Sequence, residues 1–374
     1  MSVAPLPPGR RVVVSAFGET PLEAIEANLS IEAMAPPDPA SLSAGDVIVS
    51  IRSASVGWVD LLITSGQYQH MPKPPYCPGL EYAGVVTWKG AAVGDRVALG
   101  DAVIVDALFA GPRSHGPYQA YGGFASYAVA PSEAVLKIPG SLSFDEAANL
   151  LGNYETAYHC LVTRGRVSAG ETVLVHGASG STGLAAVQVA MLLGATVIAT
   201  GRSDAKLAVV KAQGADHVVN IKSPDGDGVR AFRDDIKALT AGRGVDVVYD
   251  GVGGDVSLES LRAVRFGARF LIVGWASTPF VARGKGQRGA PNANHLPTNL
   301  IMMKGLDVLG CPMVISTVHD PSIRAPRLAQ VLRWAEEGKI RPHVSDAFPL
   351  SEFKRAMRAK WNGEVIGGCV LHPG

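Results

Sequence analysis

Residues 173–183, VLVHGASGSTG, set Gly177, Gly180 and Gly183 between a run of β-formers and a run of apolar helix-formers. A dinucleotide pyrophosphate needs a sharp turn, backbone close enough to touch, and unpaired N–H groups at a helix N-terminus; glycines at these points remove the side chains that would obstruct it. The spacing is Gly-x-x-Gly-x-x-Gly rather than the commoner Gly-x-Gly-x-x-Gly, so its weight rests on the flanking elements. Thr172 to His176 reads as a short buried strand, and Gly183 to Leu193 as an almost wholly apolar helix. Ser181 and Thr182 add hydroxyls that can reach a phosphate or cap the helix.

Downstream, a second strand, Thr196 to Thr200, runs into Gly201-Arg202-Ser203. An enzyme that uses NAD presents Asp or Glu at this place to the ribose 2′-hydroxyl. That acid is missing here. Arg202, Ser203 and, one helical turn on, Lys206 offer positive charge and a hydroxyl to a 2′-phosphate, with Asp204 diluting the field, so NADPH is the expected cofactor. A helix follows at Ala205 to Gln213, and Val245 to Tyr249 and Arg269 to Val273 supply further strands. Strand and helix in alternation predict an α/β fold with a parallel, doubly wound sheet.

Upstream, the texture is different. Short β-rich runs, Val12 to Val14, Val47 to Ile51, Ala83 to Thr87 and Arg96 to Leu99, are punctuated by turn signals at Pro78-Gly79 and Gly94-Asp95. Gly100 to Gly123 lacks periodicity and reads as a surface excursion, while Phe144 to Arg164 reads as a linking helical region. Beyond the sheet, Arg283 to Pro297 is rich in Gly, Pro, Asn and Arg and reads as a long exposed loop, followed by a β-like run at Leu306 to Leu309 and a helix at Arg327 to Glu337. With 374 residues, the chain exceeds what one core normally fills, so two domains are expected.

Bulk properties narrow the function. Apolar residues make up 47% and charged ones 18%, and the net charge is +1 with Lys and Arg spread along the chain, so no long-range field gathers nucleic acid or an anionic membrane. No segment approaches the roughly 20 uninterrupted apolar residues that span a bilayer, and Pro5-Leu6-Pro7-Pro8 interrupts the N-terminus where a secretory signal would be apolar. Cys77, Cys160, Cys311 and Cys369 stand far apart, as expected of reduced, buried thiols in a cytoplasmic protein.

The glycine turn does not stand alone. Joined to PGLEYAGVV (78–86), VGDRV (93–97), GGFASYAVAP (122–131), NYETAYHCL (153–161), KGLDVLG (304–310) and EEGKIRP (336–342), it makes the chain resemble the zinc-independent, quinone oxidoreductase-like branch of the medium-chain dehydrogenase/reductase superfamily. The resemblance implies a GroES-like catalytic domain from residues 1–150 and 304–374 around a Rossmann domain at 151–303, with NADPH in the cleft. It places Asn153, Thr156, Val252, Gly253, Gly274 and Trp275 around the nicotinamide, and it implies a homodimer formed through the edge of the Rossmann sheet. Zinc-dependent relatives carry a Cys ahead of the first-domain Asp and a His-Glu after Gly; here the corresponding stretches are Gly57-Trp58-Val59-Asp60 and Gly79-Leu80-Glu81, so two ligands are missing. The cysteine cluster of a structural zinc lobe is missing as well.

Hydride donation from NADPH to a polarised quinone or α,β-unsaturated carbonyl is the chemistry that demands least of such a site. The protein must orient a small-molecule electron acceptor and stabilise an oxyanion. By resemblance to enoyl reductases, Tyr68 is the candidate donor of a proton or hydrogen bond, or else an aromatic wall; His70 and His159 are the nearest imidazoles. Gly57, Trp58 and Tyr68 form the expected substrate pocket. Quinone oxidoreductases usually have Asn at the place of Gly57 and Asn-Tyr where this chain has Asn220-Ile221, which alters the pocket and leaves the 2′-phosphate to Arg202, Ser203 and Lys206. An enoyl-thioester reductase and a non-catalytic, crystallin-like or regulatory NADPH-binding protein are the alternatives.

Overall fold

The computed structural model describes residues 6–68, 71–114, 116–226, 228–277 and 294–374. These fall into two compact units: residues up to Leu151 together with those from Arg341 onward, and the stretch from Gly152 to Ile340.

In the first unit, β1 (Gly9–Val14) and β2 (Leu29–Met34) form an antiparallel pair. The larger sheet is centred on β3 (Asp46–Ser55), which pairs antiparallel with β4 (Tyr82–Lys89) and with β6 (Tyr127–Pro131); β5 (Ala102–Val105) and β7 (Val135–Lys137) extend it beyond β4. Val47, Val49, Ile51, Tyr82, Val86, Val103, Val105 and Phe124 are buried in its core. Two sequence expectations are corrected here. Arg96 to Leu99 is not a strand: it lies between Gly94 and Gly100, both at positive φ (59° and 86°), which turn the chain on either side of it. Nor is Gly100 to Gly123 a surface excursion, because Ala102–Val105 is a strand held between β4 and β7, with Val103, Ile104 and Val105 buried.

The linking helical region is broken in three. Ser143 caps Phe144–Ala147, exchanging hydrogen bonds with Glu146; a helix follows at Leu151–Tyr158, and His159–Arg164 widens into a π-helical turn.

In the second unit, β8 (Thr172–Val175), β9 (Thr196–Gly201), β10 (His217–Asn220), β11 (Val245–Asp250), β12 (Val264–Ile272) and β13 (Asp307–Gly310) form an all-parallel sheet in the order β10-β9-β8-β11-β12-β13. Counted within the unit this is 3-2-1-4-5-6, the doubly wound order expected from the sequence. β8 and β11 are buried at every residue, β8 being almost wholly apolar while β11 carries Asp246 and Asp250 at buried positions. The winding reverses between them, so the crevice outside their carboxyl ends is where such a fold receives a ligand.

The expected boundary at residue 304 is also corrected. After the helix Thr298–Lys304 ends at left-handed Gly305 (φ 57°), β13 pairs with β12, and the helix Arg324–Glu336 sends Arg324 and Arg327 to the buried carboxylate of Glu155 at 3.0 and 2.9 Å. The chain rejoins the first unit at residue 341, where β14 (Val344–Pro349) and β15 (Gly368–His372) dock on β3. Among the described residues no helix is long and apolar enough to cross a membrane. Most of the Arg283 to Pro297 loop lies outside the described residues.

Candidate functional site

Strand β8 ends at Val175, and the helix Ser181–Leu192 starts six residues later. Gly177 occupies φ 61°, a left-handed conformation that a side chain resists. The turn closes by a bond from the Gly180 N–H to the Gly177 carbonyl (3.0 Å), and the Ala178 N–H reaches the Thr200 carbonyl at the end of β9 (3.3 Å). Gly183 must lack a side chain, since a Cβ there would sit 2.3 Å from the Gly177 carbonyl oxygen. Gly180 is the helix N-cap, with no side chain to cap it; it and Gly177 are exposed. The turn therefore presents bare backbone at the positive end of a helix dipole, the cradle a pyrophosphate requires. Thr182 donates to the Asn153 side chain (3.0 Å), which brings the helix 151–158 to this turn. The Thr156 hydroxyl is committed to the Gly152 carbonyl (2.6 Å), so only its lone pairs are left for a ligand.

At the end of β9, Gly201 packs against Leu207, Arg202 is exposed, and Ser203 is the N-cap of the helix Asp204–Ala212 without capping it through its side chain. Lys206 is partly buried one turn on. Asp204, the acid that follows Ser203 in sequence, accepts a hydrogen bond from the Asn220 amide at 2.8 Å. Ile221 is buried in the core of this unit and offers nothing polar.

The carboxyl end of β11 brings together the remaining cofactor candidates. Gly253 is at φ 78°, and a Cβ on it would stand 3.2 Å from Cα of Trp275. Gly274 N–H bonds the Asp250 carbonyl (3.2 Å), and the Ala276 and Ser277 N–H groups bond the Gly251 and Val252 carbonyls (3.1 and 2.9 Å). Val252 also faces the phosphate turn, its Cγ2 lying 3.1 Å from where a Cβ on Gly177 would be.

Two buried residues that the sequence reading passed over organise these turns. Asp250 Oδ1 accepts the N–H groups of Val252 (2.8 Å) and Gly253 (2.9 Å); its Oδ2 accepts the Ser257 hydroxyl, which in turn receives the Asn294 amide (2.7 Å). His176, immediately before Gly177, contacts Thr200 Oγ1 through Nδ1 (2.7 Å) and Ser260 Oγ through Nε2 (2.6 Å). Ser260 gives its only proton to the Val256 carbonyl (2.6 Å), so Nε2 carries the imidazole proton and Nδ1 accepts from Thr200. Burial pushes the His176 pKa from 6.5 down to about 4 against the pull of Asp250, so the ring is neutral. The available signal was a polar residue closing an apolar run, His176 after Val173-Leu174-Val175 and Asp250 after Val247-Val248-Tyr249.

In the first unit the positions compared with zinc ligands converge on Asp60. Its carboxylate accepts the N–H groups of Gly57 (2.9 Å), Leu80 (2.9 Å) and Gly79 (3.2 Å), tying the start of the helix Trp58–Thr64 to the turn before β4. Burial raises its pKa to about 6, opposed by these donors and by the Arg113 charge. Gly57 and Leu80 supply no ligand atom, and among the described residues no three His, Cys, Asp or Glu side chains gather as a metal site. Trp58 stacks on Trp361 with ring centroids 5.0 Å apart and planes 3° from parallel, and Tyr68 is half-buried against the same core. His159 is buried in the second unit with both ring nitrogens unpartnered, and burial, aided by Arg327 and Arg164, lowers its pKa to about 4. It is a neutral core histidine. His70 lies outside the described residues.

Residues 43–140 match the family described as alcohol dehydrogenase GroES-like domain, and residues 181–324 that described as zinc-binding dehydrogenase. The quinone oxidoreductase-like protein 2 homolog of Nematostella vectensis is 30% identical over 332 residues, 87% of this chain and 82% of that one. A crystal structure of NAD-dependent alcohol dehydrogenase has a TM-score of 0.77 at 28% identity and covers 98% of this chain and 100% of its own. Escherichia coli quinone oxidoreductase, solved in complex with NADPH, has a TM-score of 0.76, covers 97% and 100%, and at 23% identity shows likeness of fold. Its doubly wound sheet, its GroES-like domain and these relatives together place this chain in the medium-chain dehydrogenase/reductase superfamily, as a member of the quinone oxidoreductase-like branch.

Proposed function

We propose that this protein is an NADPH-dependent reductase that delivers hydride to a quinone or an activated alkene conjugated to a carbonyl. The observation that carries the reading is the pairing of a bare glycine turn at a helix N-terminus with a β9 terminus that offers Arg202, Ser203 and Lys206 in place of an acid, its neighbour Asp204 being held by Asn220. NADPH, when bound, supplies the hydride. The turn amides hold its pyrophosphate; Arg202, Ser203 and Lys206 hold the 2′-phosphate. Asn153, Thr156, Val252, Gly253, Gly274 and Trp275 are assigned to the nicotinamide side. Gly57, Trp58 and Tyr68 are assigned to the acceptor, with the Tyr68 hydroxyl donating to the oxygen that gains negative charge.

Arg202→Ala with Lys206→Ala should raise KM for NADPH about 10- to 100-fold, the loss of one or two charge-assisted contacts, and leave KM for NADH within about twofold. Equal effects on both cofactors would overturn the assignment. A spectrophotometric panel of quinones, enals and enoyl thioesters selects the acceptor, and Tyr68→Phe with an unchanged rate of the chemical step removes Tyr68 from the mechanism.

The second unit exposes Phe266, Met302 and Met303 at 74%, 73% and 67%, on strand β12 and the helix Thr298–Lys304, with Gly305 at the end of that helix packing on the Phe266 ring. Solitary exposed apolar residues are ordinary, but a cluster of this kind marks a contact surface. We assign it to the homodimer.

A further inference from the structure

Between β5 and β6 the chain runs through a set of hydrogen-bonded turns. The Phe109 and Ala110 N–H groups both reach the Asp106 carbonyl (3.1 Å each), and the Leu108 N–H reaches Asp106 Oδ1 (2.9 Å). Gly111 N–H is held by the Tyr118 carbonyl (3.2 Å), and the N–H and hydroxyl of Ser114 both return to the Gly111 carbonyl (3.0 and 2.7 Å). Arg113 therefore sits in a closed turn between two buried residues, Gly111 and Ser114.

That turn rests on the one gathered around Asp60. A Cβ on Gly111 would stand 3.8 and 3.9 Å from the carbonyl oxygens of Leu80 and Gly79, and the Gly123 N–H bonds the Gly79 carbonyl (2.8 Å). Asp60 holds the N–H groups of the same two residues together with that of Gly57. The Gly111–Ser114 turn thus borders the start of the helix Trp58–Thr64, where Gly57 and Trp58 are assigned to the acceptor.

Arg113 is partly buried. Among the described residues it has no ion-pair partner, and its Nε, sealed from water, donates to nothing. The other arginine of this unit with a sealed and idle Nε, Arg11, has Glu32 at 3.6 Å. Asp60 feels the Arg113 charge, but its oxygens are turned to three backbone N–H groups. A guanidinium N–H kept from water without an acceptor is unfavourable, and a bound anion supplies the acceptor.

We propose that Arg113 selects an acceptor that carries a carboxylate, so that the alkene reduced belongs to an unsaturated oxo acid. The proposal rests on the reductase reading above. The planar guanidinium fork matches a carboxylate, and one positive charge matches one negative charge. A doubly charged phosphate would be left with an excess that the neighbouring Asp60 repels.

The test compares acetylacrylate with its methyl ester, two enones alike but for the charge; hydride from NADPH and one proton convert the first to levulinate. Acetylacrylate should show a kcat/KM about tenfold or more above the ester, the difference lying in KM. Arg113→Met should bring the two within about twofold with KM for NADPH unchanged, and Arg113→Lys should keep part of the preference. Because the ratio is taken within one protein preparation, a general loss of folded enzyme cancels. Acid and ester reduced equally by the unsubstituted chain, or a preference that survives Arg113→Met, would overturn the proposal and leave the reductase standing. Calorimetry on the protein saturated with NADP⁺ separates the two readings: levulinate should bind about tenfold or more tighter than methyl levulinate. That binding without turnover of either enone would retain the carboxylate site and remove the hydride transfer, whereas equal binding of the two would remove the site.

Discussion

One methyl group added in turn to each glycine of the 177–183 bend separates what that glycine does for packing from what it does for a ligand. Gly183→Ala drives a Cβ to 2.3 Å from the Gly177 carbonyl oxygen and 2.8 Å from Cα of Ala178, both backbone atoms that cannot rotate aside. Overpacking of this kind costs about 1–3 kcal/mol, a fall of about 2–12 °C in Tm for a unit of this size. Gly177→Ala forces a side chain to φ 61° with the Val252 methyl 3.1 Å away, a penalty of about 1–2 kcal/mol. Gly180→Ala differs in kind. At φ −78° with its nearest neighbour 3.4 Å away, the methyl fits the native backbone. The weaker N-cap, about 0.5–1 kcal/mol, is offset by about 0.4–1 kcal/mol from a stiffer unfolded chain, so Tm should not move. Its methyl nevertheless stands on the exposed side of the turn, and Kd for NADPH, read from cofactor fluorescence, should rise about tenfold or more, equivalent to about 1.4 kcal/mol. An unshifted Tm for Gly183→Ala would refute the packing. Binding to Gly180→Ala within twofold of the unsubstituted protein would refute the cradle.

Other consequences follow from the buried polar groups and the exposed patch. Because His176 titrates near 4 when folded and near 6.5 when unfolded, the unfolded chain takes up more protons between those values, and stability is lost as pH falls through that window. Its share is about 2 kcal/mol between pH 7 and 5; denaturant melts of His176→Asn should show a pH slope shallower by that amount, and an equal slope would contradict the assignment. Asp250→Ala leaves the Val252 and Gly253 N–H groups and the Ser257 hydroxyl without their acceptor, so melts should show a loss of about 2–4 kcal/mol, and steady-state assays a fall of about tenfold or more in kcat/KM. Asp250→Asn, which keeps one acceptor oxygen, should recover part of both. Met302→Glu with Met303→Glu should shift the protein from dimer to monomer in size-exclusion chromatography with Tm little changed; retention of the dimer would move the interface elsewhere.

What could be read in the sequence was what consecutive residues encode. The bend at Gly177 announces itself because strand, glycines and helix follow one another within twenty residues, and the missing acid after β9 sits at a fixed distance from them. The strand Ala102–Val105 escaped notice because a four-residue strand packed on both sides has no alternation to display, whereas Val97 and Leu99 alternate without being a strand. Within the run 304–310, Asp307–Gly310 is a strand whose sheet is set by its pairing with Arg269–Ile272 of β12, distant in sequence, which no local pattern states. The Asp250 and His176 clusters are hidden for the same reason, since their partners come from Thr200, Ser257, Ser260 and Asn294. This has a functional corollary. The residues proposed as cofactor contacts, Gly177, Val252 and Gly253, rest on His176 and Asp250, whose polar side-chain atoms are met by partners within the protein. Substitutions at these two should therefore mimic loss of cofactor contacts, and only their pH dependence and the partial recovery by Asn distinguish support of the turn from contact with the nucleotide.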